Sequence, residues 1–410
     1  MKKIFINIGA IAGADLTPSK RKVGAEMERF DVVKDAWLIV NGERIEAYGS
    51  GQPTIEAGME VIDCHGQWLF PSFCDSHTHI VYAGNRAGEF LDKINGLSYE
   101  EIGRRGGGIL NSADLLHNTS EDELYRQAME RVDEVIAKGT GAIEIKSGYG
   151  LTVEDELKML RVIRRIKQSV RAEVKSTFLG AHAVGRAYAG RQAEYVEYVC
   201  REMIPEVGRQ QLADYVDVFC DAGYFTVEET ERICNAAAQW GMRPKIHANE
   251  LDVSGGVQVG VKCGALSVDH LERSTPTDFE ALRGSDTMPT LLPGASFFLC
   301  MPFADGKTMI QSGLGIALAS DYNPGSSPSG DMRFVASMGC IRMKLTPQQA
   351  LNAATLNGAY AMDLSDEVGS ITPGKLANFY LTAPLPSLEY FLYAYATPLI
   401  KAVYLKGEKC

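Results

Sequence analysis
Positive charge is what this 410-residue sequence can least spare: 41 lysines and arginines face 52 aspartates and glutamates, for a net charge of -11. A chain of that sign is not built to cover nucleic acid or to dock on an anionic membrane, so neither is expected as a partner. No run of apolar residues approaches the ~18 that a membrane span needs. Met1-Lys2-Lys3 and the apolar segment from Ile4 to Gly13 resemble the start of a signal peptide, but Asp15 and Lys20-Arg21-Lys22 follow without a small-residue cleavage site. A first strand is the better reading. The nine cysteines are scattered, odd in number and never spaced Cys-x-x-Cys, which leaves neither a disulfide framework nor a zinc ribbon. Reduced thiols in a cytoplasmic chain are expected. Gly-x-Gly-x-x-Gly is missing after the first strand, and with it the fingerprint of a dinucleotide fold.

What is present begins with two matching ends. Ile4-Phe5-Ile6, Ala36 to Val40 and Arg44 to Tyr48 read as short strands, with Asn41-Gly42 as a hairpin signal. Asn378 to Leu381 and Ile400 to Leu405 supply similar strands near the C-terminus. Neither end has enough residues to bury a core alone, so residues 1–68 plus 366–410 are expected to pack as one small, discontinuous β-sandwich domain. Residues 69–365 alternate strands with helices. Ser120 with Glu123, and Thr226 with Glu229, are capping boxes ahead of apolar residues at helical spacing. The intervening apolar strands are the Trp68-Leu69-Phe70 run leading into His77, Ala142 to Ile145, Val174 to Leu179, Val216 to Phe219, Pro244 to Ile246, Ala265 to Val268, Met288 to Leu292 and Gly315 to Ala319. Near-continuous apolar strands separated by helices make a parallel sheet covered by helices. Eight such repeats fit a closed (β/α)8 TIM barrel of the α/β class better than an open sheet.

Barrel enzymes build their chemistry at the C-terminal ends of the strands, and five of the seven histidines fall there. His77 and His79 are two apart, so they share one face of the first strand. His182 follows the third strand, His247 the fifth and His270 the sixth; Asp321 follows the eighth. His77, His79, His247 and Asp321 offer three nitrogens and one carboxylate, a set suited to catalytic zinc or a comparable ion with room left for water. Such an ion lowers the pKa of bound water to about 7. Glu250, three residues past His247, is placed to move a proton between that water and a leaving nitrogen. His270 is either a fifth ligand or a group stabilising an oxyanion. Lys146 ends the second strand; carbamylation to bridge two metals is one reading, but with one complete ligand set an ordinary polar lysine is favoured. Arg86, just past the metal histidines, has the planar fork that grips a carboxylate. Arg104-Arg105-Gly106-Gly107-Gly108 reads as a lid or as a plain loop.

Longer stretches surround these residues: Asp75-Ser76-His77-Thr78-His79 with Ala83-Gly84-Asn85-Arg86, Glu144 to Gly150, Phe178 to His182, Lys245 to Glu250, and Ser320 to Ser326. Together with Gly369 to Ala377, at the return to the terminal unit, they resemble the amidohydrolase superfamily over essentially the whole chain. The resemblance implies a distorted (β/α)8 barrel holding one divalent metal ion per chain, Zn2+ or Fe2+/Fe3+. It also implies hydrolysis of a C–N bond in a cyclic amide or amidine. The branch most similar to this chain opens 4-imidazolone-5-propanoate to N-formimino-L-glutamate in histidine degradation. Catalytic roles would then fall to Glu250, His270 and Asp321. By the same resemblance Tyr149, His182 and Glu250 contact the imidazolone, and Asn323, Gly325 and Ser326 the ring or its product, with Arg86 on the propanoate. The assembly expected is a homodimer. A deaminase would use the same ligands and the same His247–Glu250 spacing without needing Arg86. A non-catalytic scaffold would be expected to have lost ligands that are all present here.

Overall fold
Among the described residues sixteen strands follow one another along the chain. First come β1 (Lys2–Ala12), β2 (Val32–Asn41), β3 (Arg44–Ser50), β4 (Glu60–Asp63) and β5 (Trp68–Pro71). Then follow β6 (Phe73–Thr78), β7 (Thr140–Lys146), β8 (Glu173–Ala181), β9 (Tyr215–Cys220), β10 (Arg243–Ala248), β11 (Ser267–His270), β12 (Met288–Leu291) and β13 (Ala317–Leu318). β14 (Phe379–Thr382), β15 (Ile400–Leu405) and β16 (Glu408–Lys409) close the chain. The computed structural model describes residues 2–97, 101, 105 and 107–410. Of the candidate lid, Arg104 and Gly106 therefore lie outside the described residues.

β16-β15-β14-β5-β1-β2-β3 form one mixed sheet from both termini, with β4 ahead of β5 along the edge of β1 opposite β2. The sheet curls. Ile45 N donates to Lys375 O (2.9 Å) and Ala377 N to Glu43 O (2.8 Å), so the β3 arm meets the segment entering β14. Between the arms Phe5 lies edge-on to Phe379 (5.2 Å) and Tyr404 (5.1 Å), within a cluster that includes Leu38, Val40, Ile45 and Leu381. The two layers expected of a sandwich are thus arms of a single curled sheet. β5 belongs to this sheet, and the backbone crosses to the barrel only after Pro71.

β6 to β13 run in chain order as a parallel sheet. The helices that cover it follow the apolar spacing. In Glu121–Ala137 the buried side includes Leu124, Ala128, Val132 and Ile136. Ser120 accepts the Glu123 amide there, but Glu123 does not reciprocate: its carboxylate takes Arg126 and Gln127 instead. The full box forms at Thr226 and Glu229. β13 is two residues long, so the barrel closes beyond it. Asp321 N donates to His77 O (3.0 Å) and His79 N to Tyr322 O (2.9 Å). Asp75 tightens the same seam, accepting Ser320 N (2.9 Å) and Ser320 Oγ (2.5 Å). Closure therefore brings Asp321 against the two histidines by backbone pairing alone. Among the described residues no helix is long and apolar enough to cross a membrane.

Candidate active site
At the seam the predicted donor atoms converge. His77 Nε2 and His79 Nε2 are 3.3 Å apart, and Asp321 Oδ1 lies 3.6 Å from the first and 3.5 Å from the second. Two ligands about 2.1 Å from a tetrahedral ion stand about 3.4 Å apart, so this spacing fits one metal. His247 joins His77 and His79 with ligand atoms all within 4.8 Å, and His270 does the same with His77 and Asp321. All five side chains are buried. Asp321 (φ 53°) and His270 (φ 84°) hold left-handed backbone. Such conformations cost of order 1–3 kcal/mol in a residue with a Cβ and persist where the surroundings over-determine them.

The orientation of the imidazoles is set from beneath. His77 Nδ1 is 2.6 Å from Asp269 Oδ2, and His247 Nδ1 is 2.9 Å from Asp217 Oδ2. A carboxylate on Nδ1 fixes the tautomer that turns Nε2 toward a metal. Burial, then the Lys146 charge and the neighbouring rings, hold His77 well below the usual imidazole range, so it is a neutral donor. Lys146 joins the two carboxylates: its Nζ is 2.9 Å from Asp217, 3.8 Å from Asp269 and 2.7 Å from Glu144. Lys245 Nζ, 3.0 Å from Glu144, completes the layer, whose five side chains are all fully inaccessible. Burial opposes charge on Lys146, but Asp217, Glu144 and Asp269 outweigh it and raise its pKa. Carbamylation needs a neutral amine and would add a further anion to this cluster, so the geometry supports the ammonium. Burial likewise works against the Asp217 carboxylate, yet His247 and Lys146 hold it below the usual range.

Above the donor set lies a cavity of about 310 Å³. His79, Arg86, Tyr149, His182, His247, Glu250, His270, Asp321, Asn323, Gly325 and Ser326 line it; of the predicted site residues only His77 is tucked below. Burial pushes the Glu250 carboxyl up to about 8, with Glu272 and Asp321 adding and His270 opposing. His270 stands between two acids, Nε2 3.5 Å from Glu250 and Nδ1 3.5 Å from Glu272. Burial would lower it, but Glu250 and Glu272 raise it to about 10. His182 Nδ1 is 3.0 Å from Gly148 O, and burial brings it down to about 3. Asn323 Oδ1 accepts the amides of Gly325 (2.7 Å) and Ser326 (2.8 Å), folding that loop into the cavity wall. Arg86 is buried and its Nε is 2.8 Å from Glu89 Oε2.

Comparison with known proteins places the chain in a family. A profile of the amidohydrolase family matches residues 68–409. The chain belongs to the amidohydrolase family. The imidazolonepropionase of Flavobacterium johnsoniae is 51% identical over 410 residues, covering 100% of this chain and 100% of that one. That of Christiangramia forsetii is 51% identical over 387 residues, covering 94% of each chain. Among solved structures, the guanine deaminase of E. coli has a TM-score of 0.73 at 14% identity, over 100% of this chain and 99% of that one, a likeness of fold.

For this amidohydrolase, reading strand ends finds the cavity but passes over the layer beneath it. Glu144, Asp217, Lys245 and Asp269 sit inside the strands. A signal for them exists: Glu144 and Lys146, Lys245 and His247, and Asp75 and His77 are pairs two apart, on one face of a strand. A charge at an alternate position in an otherwise apolar barrel strand points into the barrel. Phe219, Phe298 and Met301 also line the cavity and carry no such pattern.

Proposed function
We propose that the chain hydrolyses 4-imidazolone-5-propanoate to N-formimino-L-glutamate, the reaction for which its imidazolonepropionase relatives are named. The observation that carries the reading is a single cavity that combines a one-ion donor set, the buried Glu250 carboxyl and a buried arginine. Three imidazoles and a carboxylate suit Zn2+ and Fe2+ alike. Bound by His77, His79, His247 and Asp321, the ion would supply Lewis acidity that makes water a nucleophile near neutral pH.

The chain's own groups do the rest. Water oxygen adds to the ring carbonyl carbon, the ring C–N bond breaks, and a proton from water ends on the departing nitrogen. Glu250 accepts that proton and returns it. A carboxyl raised toward neutrality by burial is suited to both acts, and a cation beside it would draw it back from about 8. His270, held as an imidazolium by Glu250 and Glu272, donates toward the carbonyl oxygen as negative charge grows there. Tyr149 and His182 wall the ring, Asn323, Gly325 and Ser326 form the opposite wall, and Arg86 takes the propanoate. The same proposal divides the chain into a catalytic barrel and a supporting unit made from both ends.

Incubation of the purified protein with 4-imidazolone-5-propanoate tests this. Loss of the ring's ultraviolet absorbance with matching formation of N-formimino-L-glutamate is expected. Ammonia release from guanine with the imidazolone left intact would replace the reading by deamination.

A further inference from the structure
The cation assigned to the propanoate is already partnered. Arg86 gives Nε (2.8 Å) and Nη2 (2.5 Å) to Glu89 Oε2, and the other oxygen of Glu89 accepts Gly108 N (3.1 Å) and Asn111 Nδ2 (3.3 Å). Glu89 is thus fixed in place, and the Arg86–Glu89 pair is neutral as a unit. A carboxylate entering beside this pair would add an uncompensated negative charge to a largely buried wall, which is costly. Recognition of an anion there calls for a second positive charge.

One is in place. Helix Ala87–Ile94 begins directly after Arg86, and Lys93 lies seven residues beyond Arg86, two turns along. Both side chains line the cavity, together with Asn323, Gly325 and Ser326. Both also converge on Gly325. A Cβ at that glycine would collide with the Arg86 guanidinium, while Lys93 Nζ donates to Gly325 O (2.5 Å). The ammonium sits 4.8 Å from the Phe298 ring centroid, a second cavity-lining group.

We propose that Lys93 is a binding residue for the substrate's carboxylate, acting with Arg86 on either side of Gly325. With the carboxylate bound, Lys93 supplies a second positive charge to offset the ligand beside the Arg86–Glu89 pair. Proximity of the two cations is also visible in the lysine's acidity: burial, then the Arg86 charge, bring Lys93 down to about 8. An anion between them relieves that repulsion, so the wall is suited to one. The inference rests on the proposed function for the identity of the ligand, though not for its chemistry, a small carboxylate on a flat heterocycle.

The test uses the full chain with its ion, and Lys93→Met, which keeps the stem and removes the charge. Its first arm is calorimetric binding of imidazole-4-propanoate, which lacks the scissile carbonyl, beside imidazole-4-propanol, which lacks the carboxylate. The variant should bind the propanoate about 10–100-fold more weakly and the propanol as wild type does. In turnover its KM for the imidazolone should rise by a similar factor with kcat little changed, and Lys93→Arg should recover part of the loss. If Lys93 only pins the Gly325 loop, both analogues weaken together and kcat falls, which overturns the inference. Unchanged propanoate binding overturns it too. A wild type that binds the propanoate through Lys93 but never opens the imidazolone would sink the functional reading and leave this inference standing.

Discussion

Lys146→Met removes one of two ammonium groups from a layer that holds three carboxylates. The lysine touches Glu144 at 2.7 Å and Asp217 at 2.9 Å, and lies 3.8 Å from Asp269, with every member inaccessible to solvent. Methionine fills similar volume, so packing changes little and the perturbation is electrostatic. Breaking one buried ion pair by deleting a partner costs about 3–5 kcal/mol. Lys146 serves more than one anion, so the loss should sit at the upper end, a large share of a stability of about 5–15 kcal/mol. The second consequence is specific to the site. Asp217 and Asp269 are the carboxylates on His247 and His77, and disturbing such partners weakens a metal about 10–100-fold. Thermal unfolding with and without chelator, and competition of the metal against a chromophoric chelator, read the two effects separately. A Lys146→Met protein with wild-type melting and wild-type metal affinity would refute this role for the layer. Activity that depends on dissolved carbon dioxide would revive the carbamate.

Four other substitutions probe the cavity. Glu250→Gln keeps shape and hydrogen bonding but not the base, so kcat should fall about 10²–10⁴-fold with the metal retained, measured by steady-state kinetics and elemental analysis; metal loss would make Glu250 a ligand or its support. Asp321→Ala should lose nearly all activity together with metal affinity, and a fully metallated variant with wild-type kcat would contradict its place in the donor set. Gly325→Ala puts a methyl where the Arg86 guanidinium lies, so KM for the imidazolone should rise about 10–100-fold while an imidazolone without the propanoate is handled as before. Arg86→Ala should cost about 2–5 kcal/mol in kcat/KM for the carboxylate substrate alone; equal slowing on both substrates would place Arg86 at the ring.

How far the sequence reveals this molecule depends on the range of each cause. Strand–helix alternation is a local matter of apolar spacing and capping, and seven of the barrel strands emerge where Ala142, Val174, Val216, Ile246, Val268, Met288 and Ala317 suggest them, while the first starts at Phe73, beyond the Trp68–Phe70 run that suggests it. Topology then converts strand ends into one cavity, which is why His79, His182, His247, His270 and Asp321 are legible together despite lying far apart in the chain. The curl of the terminal sheet is less legible, because β5 reads equally well as the start of the barrel until its pairing with β14 is seen. Pairings within the charged layer are hidden for a related reason: Lys146 meets Asp217 and Asp269 only after closure, and nothing local tells a lysine which acids it will face. The Arg86–Glu89 pair is within reach at a spacing of three residues, whereas Lys93 matters through Gly325, which sits 232 positions away.

At the centre of the proposed mechanism is one ion, which His77, His79, His247 and Asp321 would hold for a ring-opening hydrolysis. Stripping the metal with a chelator and returning it in fractional equivalents, while following 4-imidazolone-5-propanoate and its product by mass spectrometry, tests that most directly. Activity should vanish in the stripped protein, rise linearly with added ion, level off at one equivalent per chain, and yield N-formimino-L-glutamate without release of ammonia. Full activity without metal, saturation only at two equivalents, or ammonia as a product would contradict it.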